Sequence, residues 1–314
     1  MYIKRKYIYY AAFLMFIMIV VFNLNEKKSV NLKGKFVIDC VRSKDGVYIF
    51  EKGNFKLLTT DAGFPKWSPD GRKIACINLN KIYFFDAKSR KIIKTINLGD
   101  CQVLPFVWAS DGSFLVIPSR VFKDNFYNYY LIKYDLKTNK QKVLMQFLFR
   151  NVKFNIKNLC LSSDGKSLSF FAGSNEMNSY LYLLDIKTKN VQYLWKNGYP
   201  IGWMPNNKDL IFFANNDRKG EILNEGLGSI LKIDVLTRNM SVVENFTFID
   251  SQNIRLSKDG KYLYYSKRTV NKGYQIMLSK LGQRDMFDEV KVTSSFFVNK
   301  EKGYSKDMEP DWYF

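Results

Sequence analysis

Short apolar segments alternate with polar turn residues along most of the chain. The apolar segments include KIACI, FLVIP, SLSFF, DLIFF and YLYYS, and each comes shortly after a turn motif that contains Ser, Asp, Asn or Gly. Brief apolar runs bounded by turn residues are typical of buried β-strands rather than of helices. The pattern therefore predicts an all-β fold built from many short strands.

The turns before these segments form a repeat. Ser-x-Asp-Gly occurs at 68–71, with related copies at 110–112, 162–165 and 257–260 and a degenerate PNN at 205–207. Asp can hydrogen bond to its own backbone and Gly accepts a positive φ, so the motif predicts a hairpin turn. An aromatic residue or Leu precedes each copy in one register, namely Trp67, Trp108, Leu161, Trp203 and Leu256.

A second turn signature lies between these copies. Its Asp residues are Asp86, Asp135, Asp185 and Asp234, at spacings of 49, 50 and 49 residues. Each is flanked by β-rich segments, which predicts another hairpin turn. The same residues could be catalytic carboxylates, but an active site is seldom present once in every repeat. We therefore predict structural turn roles for Asp70, Asp111, Asp164, Asp259, Asp86, Asp135, Asp185 and Asp234.

Each repeat then contains four antiparallel strands, here called a, b, c and d. One such sheet cannot bury both faces, so the copies are predicted to stack radially as a β-propeller. Residues 35–59 supply strands b, c and d without a strand a, and the final MEPDWYF supplies a strand a. We therefore predict a six-bladed propeller over residues 29–314, closed by pairing of the terminal strands.

The amino-terminal residues predict a membrane segment. Lys4, Arg5 and Lys6 precede an unbroken apolar run from Tyr7 to Phe22. The run is short for a spanning helix but usable, and no small-residue cleavage pattern follows it. We expect residues 1–28 to be an uncleaved signal anchor that crosses the membrane through residues 7–24. The amino terminus would lie inside and the propeller outside. Secretion after signal cleavage is the alternative.

The chain contains no His, which narrows its possible chemistry. Ser-His-Asp and Cys-His nucleophiles and His metal sites are excluded. The four Cys residues form no CxxC pair, so neither a metal site nor a cofactor is expected. The net charge of +20 is spread along a Lys-rich chain. Such a charge fits either a background composition bias or an anionic partner.

The motif FPKWSPDGRKIA, followed by IYFFD, resembles the PD40 (WD40-like) repeat of TolB-type six-bladed propellers. The resemblance covers roughly residues 35–314 and is most specific at 64–77. The chain departs from the larger families that carry this propeller. We expect neither the separate amino-terminal domain of TolB nor a hydrolase domain, and the sequence contains no G-x-S-x-G motif.

By this resemblance the propeller is expected to be a non-enzymatic protein-interaction module in the bacterial cell envelope, without a cofactor. One alternative is a binder of an anionic envelope polymer or lipid surface. The other is a glycosidase-type enzyme with paired carboxylates. No nucleic-acid partner is expected.

The binding site is predicted on the face that carries the b–c loops and d–a connections. Loop length varies most between strands b and c, and variable loops on a rigid scaffold commonly mediate recognition. The long insertions are 119–128 and 214–229. The candidate binding residues are Arg120, Lys123, Asp124, Phe126, Arg218, Lys219 and Glu221, with Asp61, Asp100, Arg150 and Asp250 from the d–a connections.

Overall fold

The computed structural model describes the propeller strands and most of their turns. The described residues are 35–40, 46–51, 54–150, 154–174, 179–214, 227–247, 254–268, 274–282, 290–291 and 311–313. The predicted anchor at 1–28 lies outside these ranges. Within them, no helix combines the length and the hydropathy that a membrane crossing needs.

The described strands, numbered in chain order, form small antiparallel sheets arranged as a propeller. Sheet 1 contains β1 (Lys35–Cys40), β2 (Gly46–Glu51), β3 (Asn54–Thr59) and the carboxy-terminal β25 (Asp311–Tyr313). Sheet 2 contains β4 (Gly63–Trp67), β5 (Lys73–Asn78), β6 (Lys81–Asp86) and β7 (Ile92–Asn97). Sheet 3 contains β8 (Gln102–Val103), β9 (Val107–Trp108), β10 (Phe114–Lys123), β11 (Phe126–Asp135) and β12 (Gln141–Arg150).

The second half of the chain repeats this arrangement. Sheet 4 contains β13 (Asn155–Leu161), β14 (Ser167–Gly173), β15 (Ser179–Asp185) and β16 (Val191–Lys196). Sheet 5 contains β17 (Gly198–Trp203), β18 (Asp209–Ala214), β19 (Leu227–Asp234) and β20 (Met240–Thr247). Sheet 6 contains β21 (Arg255–Leu256), β22 (Tyr262–Arg268), β23 (Tyr274–Lys280) and β24 (Val290–Lys291).

The hydrophobic core lies between neighbouring sheets. In β5, Ile74 and Cys76 pack toward sheet 1, whereas Ala75 and Ile77 pack toward sheet 3. Alternate residues of a strand point to opposite sides of its sheet, so a strand b that is buried on both sides needs an unbroken apolar run. This explains segments such as KIACI. Similar clusters join sheets 3 and 4, 4 and 5, and 5 and 6.

The predicted register of the aromatic and Leu positions is confirmed. Trp67 pairs with Ile74 and Trp203 pairs with Leu210, the first core residue of the following strand b. The equivalent pairs in sheets 3, 4 and 6 are Trp108 with Leu115, Leu161 with Leu168, and Leu256 with Leu263. The sequence repeat therefore corresponds to a repeat in how strands a and b pair in these five sheets.

The two ends of the described chain meet in sheet 1. Lys35 of β1 pairs with Tyr313 of β25, and Val37 pairs with Asp311. The carboxy-terminal strand takes position a, and the three strands from residues 35–59 take positions b, c and d, as predicted.

The predicted loop at 119–128 is wrong. These residues continue β10 and β11, and only Asp124 and Asn125 form the connecting turn. Both turn residues have positive φ, of 51° and 63°, as a two-residue type I′ hairpin turn requires. A tight turn of this kind allows the strand pairing to continue to its edge, so added length here becomes added strand.

Candidate functional site

The a–b turns of neighbouring sheets contact one another on a single face of the propeller. The Ser110 hydroxyl donates to the carbonyl of Ser163, and the Ser163 hydroxyl donates to Asn207 Oδ1 at 2.7 Å. Within a sheet, the c–d turn binds the a–b turn, since Ala87 N donates to the Arg72 carbonyl at 2.9 Å. We call this side, which carries the a–b and c–d turns, the turn face. The opposite side, with the b–c and d–a connections, is the loop face.

The a–b turn carboxylates are occupied by their own turns. Asp164 Oδ1 accepts from the Ser162 hydroxyl at 2.7 Å and from Lys166 N at 3.1 Å. Desolvation raises the pKa of Asp164, but these hydrogen bonds outweigh it and hold the pKa below its usual value. The same balance lowers the pKa of Asp70 and of Asp259. In Asp111, hydrogen bonds from Ser113 N–H and hydroxyl lower the pKa.

The c–d turn carboxylates behave in the same way. Asp135 Oδ1 accepts from Thr138 N at 2.7 Å, from the Thr138 hydroxyl at 2.8 Å and from Lys137 N at 3.0 Å. Hydrogen bonding to the backbone of Thr138 is the main reason that the pKa of Asp135 is low. The equivalent bonds lower the pKa of Asp86, Asp185 and Asp234. A carboxylate with several local donors is an ionised structural acceptor rather than a proton donor at neutral pH.

The structure separates the predicted binding residues into several places. Asp61 and Asp100 are exposed in d–a connections, as predicted. Arg120 and Lys123 lie in β10, Phe126 lies in β11, and Asp124 forms the turn between them. The placement of Arg150 in a d–a connection is wrong, because it is the last residue of β12. Arg218, Lys219, Glu221 and Asp250 lie outside the described residues.

Strands β10, β11 and β12 extend the loop face into a three-stranded projection. Strand β10 has ten residues, whereas the equivalent β5 has six, and both begin one turn after strand a. Four added residues at about 3.4 Å each lengthen the sheet by about 14 Å. We call this extension, residues 120–129 and 147–150, the arm.

The arm has exposed apolar side chains. Phe122 is 57% exposed and Leu148 is 58% exposed. The Phe122 ring packs on Tyr127 with a centroid separation of 4.5 Å. The Arg120 Nε donates to Gln102 Oε1 at 2.7 Å, which fixes the base of the arm to β8. The base is therefore tied to the propeller, while Phe122 and Leu148 remain accessible on the described surface.

A cavity of about 400 Å³ opens among the a strands at the turn face. Described residues of five sheets line it, and each of these sheets contributes the residue just before its register aromatic or Leu: Lys66, Val107, Cys160, Gly202 and Arg255. Lys258 of an a–b turn also lines the cavity. The charged side chains among the described lining residues are therefore all cationic, and none is Asp or Glu.

Sequence reasoning missed these cavity residues because it searched the variable loops. The signal that could have found them is the register itself. Once Trp67, Trp108, Leu161, Trp203 and Leu256 are aligned, the preceding position is the same in every repeat. Only the ring arrangement shows that this position borders a shared cavity.

Similarity to solved structures, rather than to known sequences, identifies the fold of this chain. No protein-family model matches the chain, and no curated protein matches it in sequence. Among solved structures, TolB from Acinetobacter baumannii is similar with a TM-score of 0.59 and 14% identity. That match covers 89% of this chain and 66% of the other, so the chain spans slightly less than two thirds of that TolB.

Two further structures have comparable similarity. A putative TolB from Agrobacterium tumefaciens has a TM-score of 0.58 and 13% identity, covering 89% of this chain and 96% of the other. An oligogalacturonate lyase in complex with manganese has a TM-score of 0.57 and 12% identity, covering 83% and 73%. The described strands and these similarities together show that the chain has the β-propeller fold found in TolB structures.

Proposed function

We propose that this protein is a non-enzymatic protein-interaction propeller in the bacterial cell envelope. Residues 7–24 anchor it in the cytoplasmic membrane, and residues 29–314 form the propeller outside. In this proposal the six sheets form one six-bladed ring, and the pairing of β25 with β1 supports its closure. The TolB structures with this fold support a protein-binding role.

The observation that carries the proposal is the arm. It raises Phe122 and Leu148 above the loop face, on opposite sides of a paired, three-stranded support. Exposed aromatic and aliphatic side chains held on a rigid element are typical anchors of a protein interface. We therefore propose that a folded envelope protein docks on the arm and the adjoining loop face.

A second candidate function follows from the cavity. Lys66, Arg255 and Lys258 give its described lining a positive charge, which favours an anionic envelope polymer or lipid surface. The absence of Asp and Glu from that described lining gives no support to a glycosidase-type mechanism, which needs two carboxylates near the scissile bond.

The test is a crosslinking capture with the full-length protein in its own membranes. We expect Phe122→Ser combined with Leu148→Ser to reduce recovery of one discrete protein at least about tenfold, because the apolar anchor on each side of the arm is lost. Tyr193→Ser is the control, since Tyr193 is 70% exposed on β16, outside the arm. Equal recovery with all three proteins would contradict docking on the arm.

A further inference from the structure

The chain enters the propeller at the turn face. Strand β1 occupies position b of sheet 1, and every strand b starts where the a–b turn ends. Lys35, the first residue of β1, is paired with Tyr313 at this same end. The sequence before residue 35, including the apolar run 7–22, therefore joins the propeller on the turn face.

The turn face is rich in cations. The described a–b turns (68–73, 109–113, 162–167, 204–209 and 257–262) and c–d turns (86–91, 135–140, 185–190 and 234–239) contain fourteen Lys and Arg residues and nine Asp residues. All fourteen basic residues are exposed. They are distributed over sheets 2 to 6, so the positive charge surrounds the cavity mouth.

The acidic and basic side chains of the turn face differ in length and in how they are held. The short Asp side chains fold back onto turn N–H groups, as Asp135 does onto Lys137 N and Thr138 N. The third residue of three c–d turns is an exposed Lys, at Lys88, Lys137 and Lys187. These long side chains can extend past the turns. The turn carboxylates are therefore held locally, whereas Lys88, Lys137 and Lys187 are exposed. Two other turn lysines, Lys166 and Lys261, approach Asp164 and Asp259 of their own turns at 3.7 and 3.9 Å.

Two other features of the turn face suit a lipid surface. Leu236 takes the place of the exposed Lys in the c–d turn of sheet 5 and is 73% exposed. A second cavity, of about 480 Å³, lies between sheets 1 and 2. The charged residues of its described lining are Lys56, Arg72, Lys88 and Arg90, with Glu51 and Asp86. Four cationic side chains and two carboxylates give this second cavity a net positive charge, which favours binding of an anionic group there.

We infer that the turn face rests on the anionic headgroups of the membrane that holds residues 7–24. This inference rests on the membrane anchor of the proposed function and adds an orientation to it. Basic residues next to a membrane segment are attracted to anionic lipid within a Debye length of the surface. The loop face and the arm then point away from the bilayer, where a partner protein can reach them.

The test measures the distance from each face to the lipid. The full-length protein carries a donor fluorophore at position 236 on the turn face or at position 122 on the arm. It is reconstituted into bilayers of phosphatidylcholine alone, or with about one third phosphatidylglycerol, containing an acceptor-labelled lipid. With phosphatidylglycerol, we expect at least about twofold more energy transfer from position 236 than from position 122. The difference should decrease in 1 M salt, where the Debye length is about 3 Å.

Charge variants identify the surface responsible. Lys88→Gln, Arg90→Gln, Lys137→Gln and Lys187→Gln together should abolish the effect of phosphatidylglycerol. The matched control replaces Lys81, Lys123, Lys157 and Lys196 by Gln, since these four lie toward the loop face. This control variant should still respond to phosphatidylglycerol as the unmodified protein does. Equal loss in both variants would show a response to net charge only and would overturn the inference.

The outcomes separate this inference from the proposed function. Flotation of the liposomes after an alkaline wash tests the anchor alone. If the protein floats but transfers energy equally from both positions, the orientation is wrong and the anchor stands. If the protein does not float after the wash, the anchor is wrong. In that case, salt-sensitive binding to phosphatidylglycerol that is lost with the turn cations would still support contact between the turn face and anionic lipid. Absence of such binding would overturn this contact.

Discussion

At the residue scale, the repeated Ser and Asp residues of the a–b turns form a closed set of hydrogen bonds. Ser162 is 1% exposed, and its hydroxyl donates to Asp164 and accepts from Ser167 N at 2.9 Å. Ser68 and Ser257 make the same two contacts. The serine hydroxyl thus joins the carboxylate to the first N–H of strand b.

We predict that Ser162→Ala destabilises the fold, because it removes the acceptor of the Ser167 N–H. Loss of a buried hydrogen-bond partner costs about 1–3 kcal/mol of the free energy of unfolding. Denaturant unfolding of the full chain measures the change. Ser163→Ala, at the exposed neighbouring position, should cost less than about 1 kcal/mol. A larger loss for Ser163 than for Ser162 would contradict this role.

The turn carboxylates also predict an acid response. The pKa of Asp164 is lower in the folded chain than its usual value near 3.9, so the unfolded chain binds the proton more tightly. Its contribution to stability is complete above that usual value and is lost as the pH falls through the folded pKa. We expect Asp164→Asn to flatten the decline of the unfolding free energy between about pH 5 and pH 3. An unchanged slope in a pH series of unfolding measurements would refute this contribution.

At the scale of elements, the arm depends on a two-residue turn. Asp124 and Asn125 both have positive φ, and the strands around them are paired from Phe114 with Asp135 to Lys123 with Phe126. Polar residues that tolerate this conformation are common in tight hairpins. The same residues, read in the sequence, suggested a loop.

We predict that Asn125→Val destabilises the arm, because a β-branched residue is strained at a φ of 63°. The expected cost is about 1–2 kcal/mol. Asn125→Gly is the matched control and should be tolerated, since Gly adopts this φ without strain. Amide hydrogen exchange of residues 120–129 reports the effect. Faster exchange in the Gly variant than in the Val variant would contradict the turn assignment.

At the scale of the whole molecule, stability depends on neighbouring sheets and on the meeting of the chain ends. Val37 and Val47 of sheet 1 are fully buried with Trp67 and Ile74 of sheet 2 in one cluster. Strand β25 covers the edge of β1 that would otherwise be open. The last strand therefore protects a sheet that is built from the first residues of the propeller.

We predict that truncation of residues 310–314, which removes β25, lowers the Tm by several degrees, because the backbone groups of β1 lose their ladder partners. Removal of Phe314 alone is the control, and it should leave the Tm nearly unchanged because the paired residues remain. Calorimetry of both proteins makes the comparison. Equal melting temperatures would show that the terminal pairing adds no stability.

The sequence alone determined the strands, their turns and the shared register, because these depend on local chemistry. Ser-x-Asp-Gly selects its turn, and a strand buried on both sides must be apolar. The anchor at 1–28 stays a prediction, since it lies outside the described residues.

Only the tertiary structure decided that residues 119–128 extend a sheet, because turn residues specify a reversal without specifying how far the pairing continues. It also decided that Lys66 and Arg255, 189 positions apart in the sequence, line one cavity. Their proximity results from the radial stacking of whole sheets, which no local pattern encodes. For the same reason, the cationic turn face became apparent only when the nine turns were placed on one side of the propeller.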